Sequence, residues 1–307
     1  MVSRAMREEA AVNDKIEILS VELLTKHRER VAELTRLSER LPIQLGWHYL
    51  LDLAWMLENL GNPRGLVILD AGAGLGVMQW HLLEQKAAKV ISVDRVDRSE
   101  LRLGIRARYR VTGMRPADLK SGAAIVRKNV AAAAGAGKIS AALRGLGGLF
   151  LSALPKAFPG KLVFYHHDLA FMPDIPDNSL DAAVAVSALE HNASEELPGV
   201  VSEIMRKLKP GGRLLATLGA AKEKDWFHEP SRGWNYTDAT LRRLFSLAPG
   251  APSNYDRFDA LFASLKDCAE LRDNLAPFYS KSGDNGMPWG KWDPQYQPVG
   301  VCKTKPA

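Results

Sequence analysis

The sequence predicts an α/β fold, a doubly wound and mainly parallel sheet, and three observations carry that prediction. Two short apolar runs, Leu66–Asp70 and Lys89–Asp94, read as buried strands, with the helical pattern Leu75–Ala87 between them. Strand, helix and strand within about thirty residues form a βαβ unit, and such a unit forces its strands parallel. The pattern then continues through strands at Lys161–His166, Leu180–Ser187 and Arg213–Leu218. A helix at Glu195–Leu208 links the last two, and Lys209-Pro-Gly-Gly212 supplies the turn that closes it.

The flanking segments read as helical additions. Residues 13–41 carry apolar side chains at three- and four-residue steps (Ile16, Leu19, Leu23, Leu24, Val31, Leu34, Leu37, Leu41), which predicts one long amphipathic helix ended by Pro42. His27 and Arg30 interrupt the stripe, so packing on the chain's own core is favoured over a coiled coil. A second helix through Trp47–Glu58 stops at Gly61-Asn-Pro63. Residues 1–62 are therefore expected to form an N-terminal helical cap, and residues 63–307 the main domain. Within that domain a basic helical insertion is expected at about 96–160, including an apolar helix at 139–154. An aromatic substrate-side loop is expected at about 221–236, then helices at Thr237–Leu247 and Arg257–Asn274 and a last strand at Val299–Lys303.

Composition narrows the setting. Of 307 residues, 46% are hydrophobic and 25% charged, as in an ordinary cored protein. Two cysteines, Cys268 and Cys302, make no disulfide framework and fit a reducing compartment. No apolar run approaches the roughly 20 residues of a membrane-spanning helix, and no secretory h-region opens the sequence. The expectation is a cytoplasmic protein. The net charge of +6 is unevenly placed: residues 95–161 carry +11 and the remainder −5. Such a stretch can attract an anionic small molecule, an anionic or lipid-like tail, or a membrane surface. Stacking aromatics are scarce there, which argues against nucleic acid.

The chemistry concentrates at the glycine loop Asp70-Ala-Gly-Ala-Gly-Leu-Gly76. Glycines at a strand-to-helix turn allow tight turning and close approach of a ligand. A dinucleotide fingerprint requires glycine where this chain has Val77, and Asp70 would repel a pyrophosphate while suiting a cationic group. Asp94 ends the second strand, where a carboxylate can take both hydroxyls of a ribose. Asp168 ends the third, where one can accept from an adenine amino group.

These elements occur in order with Ile175-Pro-Asp-Asn-Ser-Leu-Asp-Ala-Ala-Val-Ala-Val-Ser-Ala-Leu-Glu-His191 and Leu208-Lys-Pro-Gly-Gly-Arg-Leu-Leu215. Together, over about Leu66–Leu218, they resemble the class I S-adenosylmethionine-dependent methyltransferases, with greatest similarity to the small-molecule branch that includes ubiquinone-type and sugar-modifying enzymes. The resemblance implies a Rossmann-like fold and S-adenosylmethionine as cofactor. It implies Gly72, Ala73 and Gly74 around the methionine and ribose, with Asp70 orienting the ammonium group. Asp94 and Arg95 would lie at the ribose, Asp168 and Leu169 at the adenine, and Ser187 beneath the sulfonium. The insertion departs from the family pattern and leaves the substrate entrance open.

On the acceptor side, His191 is the first candidate base and His228 the second. Glu190, Trp226, Trp234 and Tyr236 are candidate contacts for a small-molecule acceptor, methylated at oxygen. No Cys/His cluster has metal-ligand spacing, and His166 and His167 alternate faces of a strand. Two other readings stay open at this level: an NAD-dependent oxidoreductase, and a non-catalytic adaptor that retains the fold. The sequence specifies neither the acceptor nor an oligomeric state.

Overall fold

The computed structural model describes residues 14–135, 156–275 and 291–306. The chain begins with β1 (Lys15–Ile18), α1 (Glu22–Lys26), α2 (Arg28–Arg40), α3 (Tyr49–Leu60), β2 (Val67–Ala71), α4 (Met78–Glu84) and β3 (Lys89–Asp94). It continues through α5 (Leu103–Arg108), β4 (Arg110–Gly113), α6 (Gly122–Gly135), β5 (Lys161–His166), β6 (Leu180–Val186) and α7 (Leu197–Lys207). The remaining elements are β7 (Leu208–Ala220), β8 (Trp226–His228), β9 (Gly233–Tyr236), α8 (Asp238–Leu244), α9 (Phe258–Lys266), α10 (Ala269–Asp273) and β10 (Gln297–Thr304).

The strands form one sheet in the order β1-β10-β7-β6-β2-β3-β5-β4, with the β8–β9 hairpin attached to the end of β7. From β7 to β4 every pairing along this path is parallel, whereas β10 and β1 run antiparallel to their neighbours. Both faces of the central strands are covered, which is why their sequences are almost continuously apolar. Alternate residues feed opposite layers. Ile68, Val90, Leu162 and Ala182 join the layer of α3 and α4, while Leu69, Ile91, Val163 and Ala183 join that of α7 and α8. The fold is therefore the expected Rossmann-like, mainly parallel α/β arrangement.

The N-terminal region departs from the single helix expected over 13–41. Lys15–Ile18 is a strand, paired antiparallel to β10 with Ile16 opposite Val301 and Ile18 opposite Val299. Ile16 and Ile18 alternate inward, and the free edge of β10 supplies the partner that decides for strand over helix. The helical part is also divided. At His27 the backbone leaves helical geometry (φ −114°, ψ 32°), and the ring is held 2.9 Å from Glu58 on α3. The expected cap thus contributes a strand to the main sheet, and α3 lays Trp55 directly on Gly300 of β10.

Three further expectations are revised. The insertion is not wholly helical, because Arg110–Gly113 adds a parallel edge strand beside β5. The expected aromatic loop contains the β8–β9 hairpin. The expected helix over 257–274 divides into α9 and α10 at Asp267 and Cys268. At Lys209–Gly212, the chain arches out of register between the Leu180–Leu208 and Ala182–Arg213 pairs, and Gly211 adopts a positive φ of 77°. The apolar helix expected at 139–154 lies outside the described residues.

Part of the basic stretch is paired within the fold. Arg95 pairs with Asp168, Arg108 with Glu84, Arg115 with Asp174, and both Lys120 and Lys128 with Glu100. Among the described residues no helix is long and apolar enough to cross a membrane. Both cysteines are free thiols.

Candidate active site

The glycine loop leaves the C-terminal end of β2, at the centre of the sheet, where ligands of doubly wound folds bind. Gly72 (φ +70°) and Gly74 (φ +46°) occupy the left-handed region. Space is as tight as the backbone: a Cβ on Gly72 would stand 2.6 Å from the Cβ of Ala188. The N–H groups of Gly72 and Ala73 both donate to the Val93 carbonyl, at 2.9 and 3.3 Å, which ties the loop to β3.

Two carboxylates flank this loop. Asp70 is buried and its Oδ2 has no partner among the described residues. Burial pushes its carboxyl up to about 7; Arg98 opposes that shift and Asp94 adds to it. Asp94 accepts from Gly74 N–H at Oδ2 (2.6 Å) and from Val96 N–H at Oδ1 (2.7 Å). It therefore holds the turn together as well as facing it. Leu75 and Val96, the chain neighbours of these contacts, are 74% and 58% exposed, unusual for large aliphatic side chains.

Arg98 is the residue of this region that sequence reasoning passed over. Its guanidinium donates to the Gly74 carbonyl (3.1 Å), the Ser92 hydroxyl (2.6 Å) and the Ser92 carbonyl (2.8 Å), and lies 4.7 Å from the Phe164 ring centre. Nothing in the local sequence distinguishes it from the other basic residues of the insertion. Arg95 and Asp168 form a 2.7 Å ion pair, both side chains well exposed, and Asp168 also accepts from Ala170 N–H at 2.9 Å. Neither lines the cavity that Asp70 and the glycine loop border, and Leu169 is buried.

Asp70, the glycine loop, Arg98, Phe164 and Ser187 line a cavity of about 620 Å³, to which the segment before α3 also contributes. Next to it lies a smaller pocket of about 160 Å³. Gln44, Tyr49 and Ser187 line both. Ser187 itself has φ +46°, and its N–H donates to the carbonyl and hydroxyl oxygens of Thr217 at 3.2 and 3.1 Å.

Of the acceptor-side residues read from the sequence, Glu190, His191 and Trp234 line the smaller pocket. Glu190 accepts from the Ser187 hydroxyl at 2.6 Å, and its Oε2 has no partner among the described residues. Burial pushes its carboxyl up, against the opposing pull of His191, Ser187 and His48. His191 is exposed, with Nδ1 3.0 Å from the Arg232 carbonyl.

His228, Trp226 and Tyr236 are not among the residues lining that pocket: His228 and Tyr236 are buried and Trp226 is half-buried against the core. His228 Nδ1 is 2.7 Å from the Ser231 hydroxyl, and burial lowers its pKa. Trp226 meets it edge-on, and Tyr236 is fully buried. His48 and Tyr296 line the pocket instead. His48 had a weak signal, the His48–Asp52 spacing of one helical turn; Tyr296, 248 residues away, had none. Among the described residues, no group of three or more His, Cys, Asp or Glu side chains could hold a metal ion.

Comparison with known proteins gives a methyltransferase signal. A family model described as a methyltransferase domain matches residues 133–216. A sterol 24-C-methyltransferase of Gibberella zeae is 54% identical over 52 residues. That match covers 17% of this chain and spans only 13% of the relative's length. Among solved structures, the 1,6-didemethyltoxoflavin-N1-methyltransferase of Burkholderia thailandensis aligns with a TM-score of 0.45 at 14% identity, covering 93% of this chain and 86% of the other. An N-methyltransferase of Haemonchus contortus, in complex with phosphomonomethylethanolamine and S-adenosylhomocysteine, aligns with a TM-score of 0.48 at 13% identity, covering 93% and 60%.

Proposed function

We propose that this chain is an S-adenosylmethionine-dependent methyltransferase that methylates a small-molecule acceptor, at oxygen. The junction of the two cavities at Ser187 carries this reading: a large site under the glycine loop opens beside a small polar pocket. The methyl carbon of S-adenosylmethionine arrives already activated by its sulfonium, so alignment and exclusion of water are the protein's main tasks.

The partnerless Asp70 Oδ2 fits the ammonium of an amino-acid end, with Gly72, Ala73 and Gly74 giving backbone access beside it. A dinucleotide diphosphate would meet a buried carboxylate there, which disfavours the oxidoreductase reading. Asp94 retains lone pairs for ribose hydroxyls beyond the two backbone donors it already accepts. Arg95 at the ribose end and Asp168 and Leu169 at the adenine end lie outside the lining of the larger cavity and stay assigned by the resemblance alone, while the exposed Leu75 and Val96 offer apolar surface to a purine face. Ser187 separates donor from acceptor. Glu190, His191 and Trp234 form the acceptor wall. The pocket's described lining contains no Lys or Arg, so a neutral or cationic acceptor suits it better than an anionic one.

Titration calorimetry tests the reading. S-adenosylhomocysteine is expected to bind one per chain, and NAD(H) not at all. The opposite pattern would sink it. Tight S-adenosylhomocysteine binding without methylation of any compound in a small-molecule extract would favour the adaptor.

A further inference from the structure

The smaller pocket holds a second set of groups that the sequence reading left unassigned. His48 begins the first turn of α3, and its Nδ1 lies 2.7 Å from Asp52 Oδ2, one helical turn on. Both are buried, Asp52 completely, and Asp52 Oδ1 has no partner among the described residues. With Asp52 ionised, Nδ1 carries the proton it donates, and Nε2 is left as an acceptor. Nε2 faces the Tyr296 hydroxyl at 3.2 Å. Trp47 and His228 fix the Tyr296 ring at centroid distances of 5.4 and 5.6 Å. Carboxylate, imidazole and phenol thus form a chain from α3 to the wall of the pocket that Glu190 also lines.

We infer that Tyr296 is the catalytic base of the acceptor pocket, with His48 and Asp52 as its positioning residues, and that the acceptor is a compact molecule bearing a hydroxyl group. This rests on the larger cavity being the methyl-donor site. The acceptor O–H bond breaks and its proton passes to the Tyr296 oxygen, while the phenolic proton of Tyr296 passes to His48 Nε2. Asp52 holds the resulting imidazolium through Nδ1–H. The freed oxygen lone pair forms the new bond to the methyl carbon, and the electron pair of the broken carbon–sulfur bond stays on sulfur. The proton leaves His48 by the same route after the product departs.

His191 is the weaker base by geometry. It is exposed, and its Nδ1 is held by a neutral carbonyl rather than a carboxylate. An imidazolium formed there would have the neighbouring buried Glu190 as counter-charge, but no carboxylate hydrogen-bonded to its ring to fix the tautomer, as Asp52 does for His48.

The test uses p-nitrophenol, a hydroxyl-bearing chromophore whose absorbance reports its ionisation, with the protein saturated by S-adenosylhomocysteine. In the wild type, the bound phenol is expected to ionise about tenfold more readily than the free one, an apparent pKa lowered by about one unit. Tyr296→Phe, which keeps the ring in its aromatic contacts, and His48→Gln should abolish that shift; Asp52→Asn should reduce it. All three should bind S-adenosylhomocysteine within about twofold of wild type. Retention of the shift in Tyr296→Phe or His48→Gln overturns the inference. So does its loss in His191→Ala alone, or a complex that holds S-adenosylhomocysteine but not p-nitrophenol. Failure of the wild type to bind S-adenosylhomocysteine overturns instead the donor-site reading beneath it.

Discussion

The Arg98 guanidinium donates to the Gly74 carbonyl at 3.1 Å, pinning the glycine loop from 24 residues away. Its other donors hold Ser92 on β3, so one buried cation couples loop and sheet. Removing such a group leaves buried acceptors unpaired, at roughly 1–3 kcal/mol each. Arg98→Met is therefore expected to lower stability by about 2 kcal/mol or more and S-adenosylhomocysteine affinity by at least tenfold. Urea unfolding and calorimetry measure the two effects. A variant with normal affinity would show that the loop keeps its shape without the clamp.

Gly72 tests the close approach of the loop to the segment that follows β6. A side chain there meets Ala188 and must also adopt φ +70°. Strain of this kind costs on the order of 1–3 kcal/mol. Gly72→Ala should lose most cofactor affinity while keeping the far-ultraviolet dichroism of the wild type; Gly250→Ala, where a Cβ has open space, should change neither.

Asp70 gives a pH dependence with a definite sign. Its carboxyl stands at about 7 in the folded chain, against 3.8 for the unperturbed group. A raised folded pKa means the proton binds the native state more tightly. That contribution is complete below about pH 4 and is lost as the pH rises through 7. Relative to Asp70→Asn, the wild type should lose a few kcal/mol of stability across this window. Cofactor binding should run the other way, because only the ionised carboxylate pairs with an ammonium. Affinity for S-adenosylhomocysteine is expected to rise between pH 6 and 8 in the wild type and stay level in Asp70→Asn. A level wild-type profile would remove Asp70 from the ammonium site.

Gly300 tests the packing of the N-terminal helices. The Trp55 indole covers it so closely that any Cβ displaces the ring or the strand. Overpacking of this kind costs about 1–3 kcal/mol. Gly300→Ala should lower the unfolding midpoint in urea, and the additional variant Trp55→Phe should restore part of the loss.

Strand and helix were legible where one residue pattern served one environment. Ile68, Leu69, Val90 and Ile91 are buried on both faces, so their apolar runs could only be central strands. Lys15–Ile18 was not legible, since Ile16 and Leu19 fit a helical stripe as well as Ile16 and Ile18 fit a strand. Arg110–Gly113 is too short and too polar to announce itself. In both cases the pairing partner made the strand.

The sequence by itself determined the parallel core, the glycine turn and the strand-end positions of Asp70 and Asp94, because each depends on residues close in the chain. Local order sets turn geometry and strand period, and those place Asp70 and Asp94 at adjacent strand ends. Tertiary structure alone decided what surrounds them. It brought Arg98 over the loop, paired Arg95, Arg108, Arg115, Lys120 and Lys128 with internal carboxylates, and turned His228 and Tyr236 inward. It also joined His48 and Asp52 to Tyr296 across 248 residues. A hydrogen bond acts over about 3 Å of space whatever the separation in sequence, so such groupings exist only once the sheet has closed.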